Sequence, residues 1–393
     1  MSQKARGIRE NLSLFSLLVL TNGFVGGMVG LERAILPLLA ETEFGLSSIS
    51  AALSFIISFG ITKAIINLFA GNLADRFGRK KILISGWCVG LWVPFFLIWA
   101  PSWGWVVFAN ILLGIQQGLT WSMTVNMKID IVKPNQVGLA IGLNEFAGYS
   151  GVALLAALSG YIATRFTLHP GPFYLGIAIG ISGLIFSCLT RETSSSKNRI
   201  QHPFHPLAIL IQTGWKNRHL VKLSCAGLVT NLKDGMAWGL FPLFFVSMNM
   251  TISQTGFLVA LYPACWGFFQ LFTGPLSDRI GRKGLIVAGL WIQAVSIWLT
   301  LLGHTPIYFI FTMAGLGLGT AMVYPTLQAA VSDISSIEHR ASLLGGYRFW
   351  RDFGYAAGAL SASILADSLT LSHSMMIMAF FPFITGVWMM KGT

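Results

Sequence analysis

The 393 residues are 54% hydrophobic and only 10% charged, with a mean hydropathy of +0.69, so they cannot cover a soluble surface, which takes roughly a quarter of charged side chains. A formal charge of +12 would suggest nucleic acid for a soluble protein. Here the basic residues fall in short turns between long apolar runs and report membrane topology instead. The four cysteines, Cys88, Cys188, Cys225 and Cys265, lie singly in apolar segments without CxxC spacing, which argues against a disulfide framework or a thiolate metal site and for small buried hydrophobes.

In chain order, the basic stretch MSQKARGIRE leads into an apolar run with no small-residue cleavage site and reads as the approach to an uncleaved first span. A bilayer core of about 30 Å takes about 20 helical residues per crossing. Twelve segments meet that length: 12–38, 47–73, 82–100, 104–130, 137–164, 172–190, 219–247, 253–276, 284–303, 306–333, 340–364 and 371–390. The expected fold class is therefore an all-α integral membrane protein, with twelve transmembrane helices in two pseudo-symmetric six-helix bundles, 1–190 and 219–393, joined by a linker at 191–218. The linker is polar, basic and broken by prolines, and 207–215 has the pattern of a segment lying flat at the interface, with Trp215 at headgroup depth. His202 and His205 have an HxxH spacing, but in a proline-broken polar linker this reads as solvated chain, and no metal site is expected.

The two bundles are expected because GNLADRFGRK at 71–80 returns as GPLSDRIGRK at 274–283, 203 positions later, with seven of ten residues identical. At the same offset Gly114, Asp130, Gly142, Phe146 and Gly151 meet Gly317, Asp333, Gly345, Phe349 and Gly354. Duplication accounts for this. Nearly all non-membrane Lys and Arg lie on one side, in the N-terminal tail, the turns at 74–81, 131–136 and 277–283, the linker and the C-terminal tail, against Arg165 alone on the other. Both termini are thus expected in the cytoplasm, in a cell (inner) membrane.

The repeated segment resembles the G-x-L-A-D-R-x-G-R-K signature of the major facilitator superfamily, which lies between that family's second and third helices and recurs in degenerate form between the eighth and ninth. The resemblance covers the whole chain and implies a secondary transporter that alternates between inward- and outward-open states. It also implies a gating set. Gly71 and Gly274 would permit close helix approach, Gly78 and Gly281 the tight turn, and Arg76, Arg79, Arg279 and Arg282 would anchor it in the cytoplasm. Asp75 and Asp278, assisted by Asp130 and Asp333, would bridge the halves in one conformation and release in the other. A purely topogenic loop is the plainer alternative. The arginine that exporters of the superfamily often carry three residues before a Gln-Gly in helix four is replaced here by Gly114, and their helix-five proline is absent from 144–160.

Ionisable groups inside a bilayer cost roughly 2.5 to 3.5 kcal/mol each on insertion scales and face a cavity or a partner. Away from the span ends they are Glu32, Arg33, Lys63, Glu145, Lys233, Asp234, Arg348, Arg351 and Asp352, and none lies on helices three, six, nine or twelve, which the family resemblance makes the lipid-facing ones. Arg348, Arg351, Asp352 and Tyr355 are spaced i, i+3, i+4, i+7, on one helix face, and Glu145 and Tyr149 stand at the corresponding points of helix five. Arg348 and Arg351 suit an anionic group and Glu145 a coupling proton, while internal ion pairing is the structural alternative. Asn67 (i, i+4 from Lys63), Trp121, Lys128, Asn231 and Trp238 extend the polar or aromatic faces. Aromatic stripes are as readily packing as binding.

These residues predict a monomeric secondary transporter of a small-molecule substrate by alternating access, coupled to protons or another ion, with no cofactor, no metal, no nucleic acid and no enzymatic activity. Proton-coupled efflux of a drug-like or metabolic compound comes first. Proton-coupled uptake or exchange of a small organic anion is the alternative, and a non-transporting receptor or scaffold on the same fold is the reading from a different class.

Overall fold

The computed structural model describes residues 7–133, 136–193, 206–335 and 340–391, with the side chains of Asn72, Asp75, Arg340 and Ala341 left outside that description. The described chain is helical: α1 (Leu12–Arg33), α2 (Leu36–Thr42), α3 (Ile49–Ala52), α4 (Ser54–Phe77), α5 (Arg79–Gly90), α6 (Trp92–Ile98), α7 (Trp103–Ile131), α8 (Val137–Arg165), α9 (Phe173–Leu189), α10 (Pro206–Ile211) with a π-helical turn at Gln212–Lys216, α11 (Arg218–Ser247), α12 (Ile252–Ile280), α13 (Arg282–Leu302), α14 (Pro306–Ile334), α15 (Arg340–Ser368) and α16 (Leu371–Met390). Among the described residues nine helical stretches are long and apolar enough to cross a membrane. The α11 and α15 helices are as long but carry charges, and α9 is slightly short; counted as crossings, these three bring the number to twelve.

Three of the expected spans are divided, the second, expected over 47–73, at Leu53 between α3 and α4 without a proline, and two others at a proline. The first is not continuous over 12–38 but breaks between α1 and α2, where Pro37 cannot donate to the Arg33 carbonyl, and the third breaks between α5 and α6, where Pro94 cannot donate to that of Gly90. The signature turns expected at 74–81 and 277–283 contract to single residues, Gly78 and Gly281, because α4 and α12 continue through the Asp-Arg pair. Both glycines have φ of +92°, a backbone that side chains with a Cβ resist. The segment expected flat at the interface is α10 and the π turn, held to α15 by Trp350, whose Nε1 donates to Thr213 Oγ1 at 3.2 Å and whose ring meets that of Trp215 edge-on.

The same pairing recurs in the two repeats: α1 packs on α8 and α11 on α15. Lipid supplies no hydrophobic drive between helices, so small residues must let the backbones meet. A Cβ on Gly26 would overlap the Gly148 carbonyl and one on Gly30 that of Val152, while Gly354 and Gly358 stand equally close to the carbonyls of Leu228 and Leu232. Gly30→Leu or Gly358→Leu is therefore expected to abolish the monodisperse peak in fluorescence-detected size exclusion. Gly71→Ala should leave it unchanged, since nothing lies within 4 Å of the added methyl. An intact Gly358→Leu peak would refute the packing account.

Candidate functional site

A cavity of about 1,020 Å³ lies between α4, α7 and α8 on one side and α12, α14 and α15 on the other. It opens at the end of the bundle that carries the signature turns, with Arg79, Asp130, Asp278, Arg282 and Asp333 along its walls. The opposite end is shut. There Asp367, at the end of α15, accepts hydrogen bonds from the backbone N–H groups of Ile49 (2.6 Å) and Ser50 (2.9 Å) and from the hydroxyls of Ser48 (3.0 Å) and Ser50 (2.5 Å), capping α3 from across the bundle. Gly160 of α8 meets Gly256 of α12, and Gly60 of α4 meets Ala356 of α15, at backbone contact distance.

At its inner end the cavity narrows to a chamber of about 10 Å³, room for about one water-sized group. Its walls include Lys63, Trp121, Glu145, Tyr324, Arg348 and Arg351. Each brings a different state of satisfaction. Arg351 is consumed: its Nε and NH2 donate to both oxygens of Asp352 at 2.7 and 3.0 Å, and its guanidinium lies 4.7 Å from the Tyr324 ring centre. Asp352 is further held by Asn231 Nδ2 at 3.2 Å and by Asn67, whose Oδ1 accepts from Ser122. Arg348 makes one long contact, 3.4 Å to Gln328 Oε1. The Lys63 ammonium has no hydrogen-bond or ion-pair partner among the described residues and lies 5.4 to 5.5 Å from the ring centres of Phe59, Trp121 and Tyr355. Glu145 Oε1 accepts from Trp121 Nε1 (2.9 Å) and Asn144 Nδ2 (3.2 Å), while its Oε2, though buried, has no partner.

The sequence-derived site is thus brought together in part. Lys63, Asn67, Trp121, Glu145, Arg348 and Arg351 meet at the chamber, but the pairing imagined between the faces of helices five and eleven is absent: no ion pair joins Glu145 to Arg348 among the described residues. Arg351 is already paired, with its Nε and NH2 both donating to its neighbour Asp352, so its charge is largely neutralised within the wall. Lys128 points away from the chamber, donating to the carbonyl of Leu18 (3.0 Å) and to Asn144 Oδ1 (2.5 Å). Lys233 and Asp234 form a sealed pair with Tyr262 and Thr320. Glu32 and Arg33 are buried where α1 breaks, the guanidinium 4.6 Å from the ring centres of Phe59 and Trp238. Tyr149 stacks on Trp266 at 3.7 Å and Tyr355 on Trp238 at 4.6 Å, which makes packing elements of both.

The signature residues pair within their own repeat. Arg79 bridges to Asp130, and the Arg79 and Lys80 N–H groups both donate to Glu192 at 3.1 Å. Arg282 bridges to Asp333 at 3.1 Å and to Asp278 at 2.5 Å. Asp278 makes no bond across the cavity among the described residues, and the part expected of Asp75 falls on a side chain outside the description. Gly71 and Gly274 mediate no close approach here. They line the open cavity with clear space around them, because the two repeats stand apart at this end. Arg76 and Arg279 are exposed, as topological anchors would be.

Sequence reasoning missed Asn144, Gln270, Tyr324, Gln328 and Asp367. Tyr324 and Gln328 are spaced i, i+4 on α14, a polar pair that could have been found. Asp367 sits beside a helix end, where an acid reads as ordinary surface. Among the described residues no cluster of three His, Cys, Asp or Glu could hold a metal.

The family model of the Major Facilitator Superfamily matches residues 16–226 and 223–392. An MFS-type transporter of Methanocaldococcus jannaschii is 22% identical over 363 residues, covering 91% of this chain and 92% of its own. The multidrug resistance protein MdtG of Salmonella arizonae is 24% identical over 356 residues, covering 87% and 86%. The nucleoside transporter NupG superposes with a TM-score of 0.77 at 14% identity, over 96% of this chain and 99% of its own. The human organic anion transporter MFSD10 does so with a TM-score of 0.73 at 16% identity, over 96% and 98%.

Proposed function

The chain belongs to the major facilitator superfamily, and from that premise we propose that it moves a small organic anion across the membrane by alternating access, coupled to protons. The observation that carries this is the chamber, where Lys63 and Arg348 direct unused cationic donors into one space from opposite repeats. An anion held between them would draw the repeats together at the open end, closing it. The basic turns favour a cytoplasmic placement of that end, so this conformation is the inward-open one. Around the chamber stand three cations, Lys63, Arg348 and Arg351, against two carboxylates, Glu145 and Asp352. Protonating Glu145 raises the excess from one positive charge to two, so proton and anion bind in mutual support, which is the logic of co-transport.

The test is purified protein in liposomes with a trapped pH dye, challenged with benzoate and other carboxylates. Solute-evoked proton movement in the direction of the solute is expected, weakened at least tenfold in Lys63→Gln and Arg348→Gln. Export of a drug-like compound is the second reading, favoured by the similarity to MdtG and by the mainly apolar cavity. It requires protons to move against the solute. If no solute moves across a panel of anions, cations and neutral compounds, transport fails and a receptor or scaffold role gains.

A further inference from the structure

Gln270 of α12 is 2% exposed and lines the same cavity as Arg348, yet neither its Oε1 nor its Nε2 has a hydrogen-bond partner. Three other polar side chains of the cavity are engaged. Asn67 is held by Asp352 and Ser122, Gln328 accepts from Arg348, and Ser277 lies against Arg282. A buried carboxamide with all its capacity unused destabilises the folded protein, and bracing between helices cannot account for it, because it braces nothing. It belongs to the cavity wall, and one turn toward the open end is Gly274, which lines the same cavity with nothing within 4 Å of its Cβ position.

Depth sets Gln270 level with Arg348 on the wall of the same cavity. It stands ten residues from Ile280 on α12, and Arg348 eight from Arg340 on α15, so both lie about 12 to 15 Å from the open end at about 1.5 Å per residue.

We propose that Gln270 is a recognition site for an amide group of the solute, donating through Nε2 to its carbonyl and accepting through Oε1 from its N–H. This rests on the anion reading of the same cavity and narrows it. The substrate class becomes a carboxylate that also carries a secondary amide or lactam, with its carboxylate toward Lys63 and Arg348 and its amide against α12. A wall amide of this kind discriminates strongly against solutes that lack the matching group, since its own polar atoms then stay unpaired.

The probes are hippurate and 3-benzoylpropionate, which share the phenyl ring, carbonyl and carboxylate and differ in an N–H replaced by a methylene. Binding to the purified full chain is followed by calorimetry. The wild type is expected to bind hippurate about tenfold tighter, and Gln270→Met should abolish that preference, weakening hippurate, which loses both hydrogen bonds, by more than 3-benzoylpropionate, which loses only the one to its carbonyl. Equal binding of the two probes by the wild type overturns the amide site while leaving the anion reading intact. Equal weakening of both by Gln270→Met also overturns it. Failure of the wild type to bind either probe removes the anion reading and this inference with it. If Gln270→Met does not fold, the wild-type preference between the probes decides alone.

Discussion

Replacing Glu145 by glutamine is expected to abolish accumulation driven by a pH gradient while sparing exchange of solute between the two sides. The side chain keeps its shape and an oxygen for the Trp121 and Asn144 donors but cannot ionise, so the site is fixed in the form that a proton would produce. A carrier that moves one proton with one anion is electroneutral and concentrates its solute up to about tenfold per pH unit, since one unit is about 1.36 kcal/mol. In Glu145→Gln that ratio should fall to one, with exchange within about threefold of wild type when solute is saturating on both sides. Glu145 is chosen over the other acids because it alone among the described ones brings an unpartnered oxygen to the chamber: Asp352 has both oxygens occupied, and Glu32 and Asp234, though each has an unpartnered oxygen, do not line that space. Unchanged proton dependence in the variant would remove Glu145 from coupling. Loss of exchange as well would make it part of the binding wall instead.

How far the chain could be read before folding differs between fold and site. Apolar run length and the repeat of Asp-Arg-x-Gly-Arg-Lys were legible because lipid imposes one local rule, internally satisfied helices of fixed length. The breaks at Pro37 and Pro94 were also written in the chain, but as local exceptions that a run-length reading averages away. The membrane charges announced a cavity, and Lys63, Glu145 and Arg348 do meet there. Sequence could not tell Arg348 from Arg351. They are three residues apart on one face, and the difference arises only because Asp352 turns back onto Arg351 while Asn67 and Asn231, from two other helices, hold Asp352 in place. Gln270 was invisible for a related reason: an uncharged amide in an apolar helix becomes conspicuous only when every atom around it is known and none bonds to it. The relation of the signature to the gate likewise depends on conformation, since Gly71 and Gly274 can serve close approach only when the open end shuts.

The shut end yields the other large expectation: Asp367→Ala should shift the protein toward a form open at that end. The carboxylate accepts two backbone and two hydroxyl hydrogen bonds from Ser48, Ile49 and Ser50, so one side chain of the second repeat caps a short helix of the first. Bonds to a charged group contribute about 1.5 to 3 kcal/mol each when shielded, but Asp367 is exposed, and solvent screening brings the net contribution of the cluster to roughly 1 to 2 kcal/mol. That suffices for about a five- to thirtyfold change in the ratio of open to shut molecules. Nothing in the cluster touches the chamber, so the affinity of each conformation for solute should be unaltered and only their populations should move. Spin labels at Glu41 and His373, exposed on opposite repeats and seven and six residues in sequence from Ser48 and Asp367, report this directly by electron–electron distance measurement in a background without the four native cysteines. A single short distance in the parent and a second, longer one in Asp367→Ala is the expected result. Asp367→Asn should shift the populations less, because its amide keeps one acceptor oxygen for the cluster and presents N–H groups only where the second oxygen accepted. Identical distance distributions in all three proteins would show that the glycine contacts of α8 with α12 and α4 with α15 hold this end shut without the cap.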